Sequence, residues 1–158
     1  MQNQKLVCGV EAAKVLKAKT DAIFAENANA KIVVIGDFND EPINKSVTDV
    51  LGAKPNTANT TYKDKDLINL THSIKMSGEG TYNYQGNWNM LDQIIVSEGL
   101  LQAKKGLKTS IGSAVIYRQD FLLFKHKKYG ETPNRTYGGS RYYGGYSDHL
   151  PIYLKMEM

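Results

Sequence analysis

The chain has little cysteine, no long apolar run and none of the familiar nucleotide or zinc loops. Cys8 is its only cysteine, which excludes a disulfide framework and a thiolate metal cluster. No apolar run approaches the ~20 residues needed to span a bilayer. Mean hydropathy is -0.43, so no transmembrane segment is expected. The opening Met1-Gln2-Asn3-Gln4-Lys5-Leu6-Val7 has no apolar region after its charge and does not read as a signal peptide. A glycine-rich phosphate loop, a metalloprotease helix and a zinc pattern are missing, as is a serine-hydrolase elbow. An EF-hand fails at Pro42, which stands after Asp37-x-Asn39-x-Glu41 where that loop needs glycine.

What is there fits a single globular domain. The chain has 158 residues, of which 41% are apolar, enough for a substantial core. There is no internal repeat and no interdomain linker. The formal net charge is +4 and the pI about 9.0. Mild basicity steers toward anionic partners such as phosphate esters or nucleic acid. An ordinary soluble surface is the plainer reading of that charge.

Apolar spacing predicts a helix over residues 11–26, with Ala12, Val15, Leu16, Ala22 and Ile23 inward and Lys14, Lys17 and Lys19 outward. Lys31-Ile32-Val33-Val34-Ile35 reads as a buried strand. A second helix is expected over residues 43–51, stopped by Gly52, and a polar loop over residues 56–65. Tyr82-Asn83-Tyr84 alternates like a strand. It is expected to return through Gly86-Asn87 onto a more apolar strand, Met90-Leu91-Asp92-Gln93-Ile94-Ile95-Val96. Periodicity leaves residues 114–124 open between strand and helix. Residues 125–146 read as a long loop, and residues 150–156 as a closing strand.

Three polar clusters interrupt these apolar runs. The first strand runs into Gly36-Asp37-Phe38-Asn39-Asp40. If the chain stays extended there, Asp37 and Asn39 share one face. Such a pair suits a general base beside a phosphate or metal. An Asx turn explains the same residues without catalysis. Asp92 sits inside an apolar strand, where a carboxylate is costly unless paired. Ser147-Asp148-His149-Leu150-Pro151 supplies a histidine just before the last strand. An Asp92–His149 pair would orient the imidazole and favour its cation, suited to a phosphoryl oxygen. His72 lies in a polar, loop-like segment, and His126 among lysines reads as solvated surface.

The Arg135-to-Tyr146 stretch interleaves arginine, tyrosine and glycine. Arg135, Tyr137 and Arg141 are candidate substrate contacts, and packing of the tyrosines on the body is the plainer alternative. Trp88 is open between a core plug and a substrate platform.

In this order, Gly36-Asp37-Phe38-Asn39, Tyr82 through Trp88 to Leu91-Asp92-Gln93-Ile94, and Ser147-Asp148-His149-Leu150-Pro151 resemble the C-terminal half of the endonuclease/exonuclease/phosphatase family. The resemblance implies half of a four-layer α/β/β/α sandwich, with a mainly antiparallel or mixed sheet and flanking helices. It also implies hydrolysis of a phosphoester with Mg²⁺ or Mn²⁺. On it, Asp37 resembles the water-activating group and Asn39 its partner at the phosphoryl group. Asp92 resembles the acid that orients the histidine, Asp148 a metal-site carboxylate and His149 the residue on the scissile phosphate.

The family's early Asn and its principal metal-ligand Glu have no counterpart here. Residues 1–158 are therefore expected to be one partial domain, the N-terminal half of which is missing. At most weak turnover follows for the chain alone. One sheet face would be bare, to be covered by the missing half or by self-association. The alternative function is a non-catalytic remnant that binds phosphate or nucleic acid. A phosphate ester is the expected partner, with nucleic acid and phospholipid headgroups both within the family's range. Localisation is left open: a full-length protein could be secreted or periplasmic.

Overall fold

A computed structural model describes residues 2–158 along the backbone and side chains from residue 9 onward. The opening segment tested above for a signal peptide and the Cys8 thiol lie outside the described side chains.

Helix α1, Gln2–Glu26, starts earlier than the helix expected over residues 11–26. Ala13, Leu16, Ile23 and Phe24 pack inward, whereas Ala12, Val15 and Ala22, expected there, are exposed; Lys14–Glu11 and Lys17–Asp21 pairs line the outer side. Asn27 stops the helix, its side-chain oxygen accepting the Asn29 N–H at 3.0 Å, an Asx turn.

The main sheet is β1 (Val33–Asp37), β6 (Asp92–Ser97), β3 (Leu67–Asn69) and β2 (Lys54–Pro55), in that order. The β1–β6 and β6–β3 pairs are antiparallel and β3–β2 is parallel, so the sheet is mixed. Val33 faces Val96, Ile35 faces Ile94 and Asp37 faces Asp92. Residues directly opposite in an antiparallel pair share a face. One face therefore carries these six residues, and the other carries Val34, Ile95 and Gln93. Against that second face lie α1 and a π-helical segment, Ser46–Leu51, burying Val47 and Leu51 with Ile95. This segment is what remains of the helix expected over residues 43–51. Gly52, at φ +76°, ends it as expected.

A two-stranded antiparallel sheet, β7 (Ala114–Ile116) with β12 (Ile152–Leu154), covers the first face. Ala114, Ile152 and Leu154 pack there on Ile68, Leu70, Ile94 and Val96. Helices, main sheet and small sheet form three successive layers. The small sheet packs on β6 and β3, and no β1 residue belongs to that apolar cluster. The first strand is thus not buried as expected. It lies at the sheet edge two residues further on, with Val33 39% and Ile35 52% exposed.

Three hairpins complete the chain. Strand β4 (Tyr82–Tyr84) pairs with β5 (Asn87–Asn89) through Gln85-Gly86, at φ +53° and +93°, the doubly left-handed turn that right-twisted hairpins favour. The expected return onto residues 90–96 is therefore wrong, because β5 takes that pairing and frees β6 for the main sheet. The long loop expected over residues 125–146 is instead β8 (Leu123–His126) with β9 (Gly130–Pro133), then β10 (Tyr137–Gly138) with β11 (Arg141–Tyr142). These strands are mostly solvent-facing, so they carry no apolar alternation to betray them. Residues 114–124 divide into β7 and a 3₁₀ turn, Asp120–Leu122, before β8. His72 opens a short helix, α2 (His72–Met76), and a further one, α3 (Glu98–Leu101), follows β6. Among the described residues no helix is long and apolar enough to cross a membrane.

Candidate functional site

The register of β1 against β6 sets Asp37 directly across from Asp92. Like charges so placed repel, and a cation beside them relieves that. His149 occupies this position from a third part of the chain. Its Nδ1–H donates to Asp92 Oδ2 at 2.6 Å, with both side chains largely buried. Its ring lies 4.9 Å from that of Tyr82, opposite which it pairs in a short bridge. The hydrogen bond to Asp92 raises the histidine's pKa. Burial opposes this, and the charges of Asp92, Asp37 and Asp148 add to the rise. The cationic form is favoured, and Nε2 is left to meet another group.

Thr81 holds this meeting point together and was not visible as a candidate in the sequence. It is wholly buried. Its hydroxyl accepts the Asp92 N–H at 3.3 Å, and its carbonyl accepts the Leu150 N–H at 2.8 Å. Ser147 Oγ accepts the His149 N–H at 3.1 Å, which shapes the turn before β12.

Asn39 has φ +50°, so the chain does not stay extended past Asp37 and the two side chains do not simply share a face. Asn39 folds back instead. Its N–H donates to Asp37 Oδ1 at 2.8 Å and its Nδ2 to Asp37 Oδ2 at 3.3 Å. The Asx turn exists, and it carries a carboxylate that belongs to the cluster with Asp92 and His149. Below the turn, the buried Gln93 donates through Nε2 to the Asp40 carbonyl at 2.5 Å. Gln93 Oε1 accepts from Asn69 Nδ2 at 2.6 Å, and Asn69 Oδ1 accepts from the Thr71 hydroxyl at 2.7 Å. A satisfied buried network of this kind fixes the loop rigidly. A glutamine within an apolar strand was its one trace in the sequence.

One oxygen or nitrogen from each of Asp37, Asp92 and His149 falls within 4.8 Å of the others. Asp148 is exposed and outside this trio, reaching it through its charge on His149. The remaining candidates lie elsewhere. Arg118 covers Trp88, its guanidinium 4.6 Å from the ring centre, and pairs with Glu131 at 2.8 Å. The Tyr137 ring lies tilted against that of Tyr142 with centroids 5.3 Å apart. Arg141 lies over Tyr143 at 5.1 Å, and Arg135 lines a separate cleft. His72 Nδ1 is buried with no hydrogen-bond partner, and burial lowers its pKa.

Fold and site together define a mixed α/β protein with two carboxylates and an imidazole converging at the end of neighbouring strands. Residues 4–158 match the endonuclease/exonuclease/phosphatase family, and the chain belongs to it. Membership points to metal-dependent phosphoester hydrolysis. Comparison with curated proteins and with solved structures gave no match.

Proposed function

We propose that this chain carries the hydrolytic centre of a divalent-metal-dependent phosphoester hydrolase acting on mono- or diesters. The observation that carries the reading is the convergence of Asp37, Asp92 and His149 from three separated stretches of chain. The donor chemistry fits Mg²⁺ or Mn²⁺, because these ions take oxygen ligands and need few protein carboxylates beside water and substrate phosphate. Asp37 is exposed and close to the imidazole pair, and Asp148 is the second carboxylate assigned to the ion. When bound, the ion polarises a phosphoryl oxygen and neutralises its charge.

In this mechanism Asp37 accepts a proton from the attacking water while Asn39 holds the carboxylate in place. The water oxygen forms its bond to phosphorus as the bond to the leaving oxygen breaks. His149, kept cationic and oriented by Asp92, donates from Nε2 to a phosphoryl oxygen where negative charge accumulates. On this reading a further half of the fold completes a four-layer α/β/β/α sandwich and supplies the principal metal-ligand glutamate. The exposed Val33 and Ile35 beside Asp37 support that, since an apolar layer against them would remove them from water. Trp88, Arg135, Tyr137 and Arg141 are assigned to substrate contacts outside the centre.

The test is hydrolysis of bis(p-nitrophenyl) phosphate by the purified chain with Mn²⁺ or Mg²⁺, with EDTA, and as His149→Ala. Slow, metal-dependent release that both EDTA and the substitution abolish is expected. No release above the buffer blank, or release that survives His149→Ala, overturns the reading and leaves a phosphate-binding remnant.

A further inference from the structure

We infer that the cleft between the β4–β5 and β8–β9 hairpins is a nucleotide site, and that it holds a nucleotide portion of the phosphoester cut at the adjacent centre. The cleft has a volume of about 700 Å³, in the range of sites that enclose small organic ligands. Tyr82 forms part of its wall, and its ring lies tilted beside that of His149 with centroids 4.9 Å apart. Tyr82 thus joins the cleft to the carboxylate–imidazole centre.

The composition of the wall selects the ligand. Tyr84, Phe124 and Tyr143 are 58%, 53% and 55% exposed, and all three line this one cleft. Exposed aromatics scattered singly mean little, but a convergent set marks a binding surface. Lys127 and Arg135 stand among them, and among the described residues no carboxylate lines the cleft. His126 also lines it. Its Nδ1 accepts the N–H groups of Lys128 and Tyr129 at 3.1 and 3.2 Å, so the neutral ring carries its proton on Nε2 as a donor. Flat π-faces beside cations suit a base joined to a phosphate. A quaternary-ammonium headgroup would stack on the rings but meet like charge at Lys127 and Arg135. An inositol phosphate would satisfy the cations and leave the ring faces without a planar partner.

The position of the cut rests on the hydrolase reading; binding in the cleft does not, and calorimetry in EDTA separates the two. The whole 158-residue chain is titrated with adenosine 5′-monophosphate, phosphocholine, inositol 1-phosphate and inorganic phosphate. The nucleotide should bind at least about tenfold more tightly than the other three, and Phe124→Ala and Arg135→Ala should each weaken it by about tenfold. Both side chains sit at the surface of a hairpin or loop, and an unchanged melting temperature verifies the fold of each variant. Nucleotide binding no tighter than inorganic phosphate, tighter binding of phosphocholine or inositol phosphate, or indifference to both substitutions overturns the inference. Nucleotide binding without hydrolysis of the nitrophenyl ester would fail the hydrolase reading alone. Hydrolysis without nucleotide binding would fail this inference alone.

Discussion

Replacing Asp92 by asparagine tests the chemistry of the site through stability, without any need for turnover. The 2.6 Å Asp92–His149 hydrogen bond is charge-assisted while the imidazole is protonated. Hydrogen bonds to charged groups contribute about 1.5–3 kcal/mol. The substitution also removes repulsion from Asp37, whose carboxylate reaches within 4.8 Å of this pair. At that distance, in water-like surroundings, the relief is about 1 kcal/mol. A net loss of about 0.5–2 kcal/mol is expected at a pH of about 6.

The pH dependence has a definite sign. The folded-state pKa of His149 is raised, first by its bond to Asp92. Its contribution is fully present below the unfolded value of about 6.5 and is lost as pH rises through the higher folded value. The stability gap between wild type and Asp92→Asn should therefore narrow as pH rises above about 6.5 and through the raised folded value. Urea unfolding in EDTA across this range measures the gap, and NMR titration of the imidazole follows His149 directly. A gap independent of pH, or a His149 titration unchanged by Asp92→Asn, would refute the pairing as the source of the shift.

Three further outcomes follow from the packing. Gln93→Leu strands the Asp40 carbonyl and the Asn69 amide in the interior, and should cost about 2–5 kcal/mol in urea unfolding; a loss under about 1 kcal/mol would mean the network is not needed. A Cβ at Gly80 would collide with the Asn89 carbonyl oxygen, whereas at Gly112 it meets open space at φ +90°. Gly80→Ala should thus lower the melting temperature well beyond Gly112→Ala, for which about 1 kcal/mol is expected from strain alone, and equal shifts would contradict this. Ile35→Lys should leave the urea midpoint nearly unchanged, since the side chain is half exposed, yet reduce any concentration-dependent association seen by light scattering; unaltered association would rule out the β1 face as its seat.

The sequence marked the main elements where apolar residues run together or recur. Helix α1 and the strand at Ile94-Ile95-Val96 both exist, the strand with all three residues wholly buried, whereas Val15, expected inward on the helix, is 72% exposed. The sequence failed where strands are short and solvated on both sides, as in the hairpins between Leu123 and Tyr142, or where a tight turn redirected pairing, as at Gln85-Gly86. The candidate trio was legible because each member is a polar residue at the end or within an apolar run. Thr81 and Tyr82 were not, because nothing local marks a threonine as a hub or a tyrosine as the neighbour of a histidine 67 positions away.

Family membership was readable from local chemistry, since the order of Asp37-x-Asn39, Asp92 and Asp148-His149 survives in one dimension. Whether those side chains meet was not, because Asp92 and His149 lie 57 positions apart. Their contact depends on a strand register, a buried threonine and a turn, all set by long-range pairing. The same pairing left Val33 and Ile35 open at the sheet edge. A run of β-branched residues encodes a strand, but the number of layers around it decides how much of that strand is hidden from water.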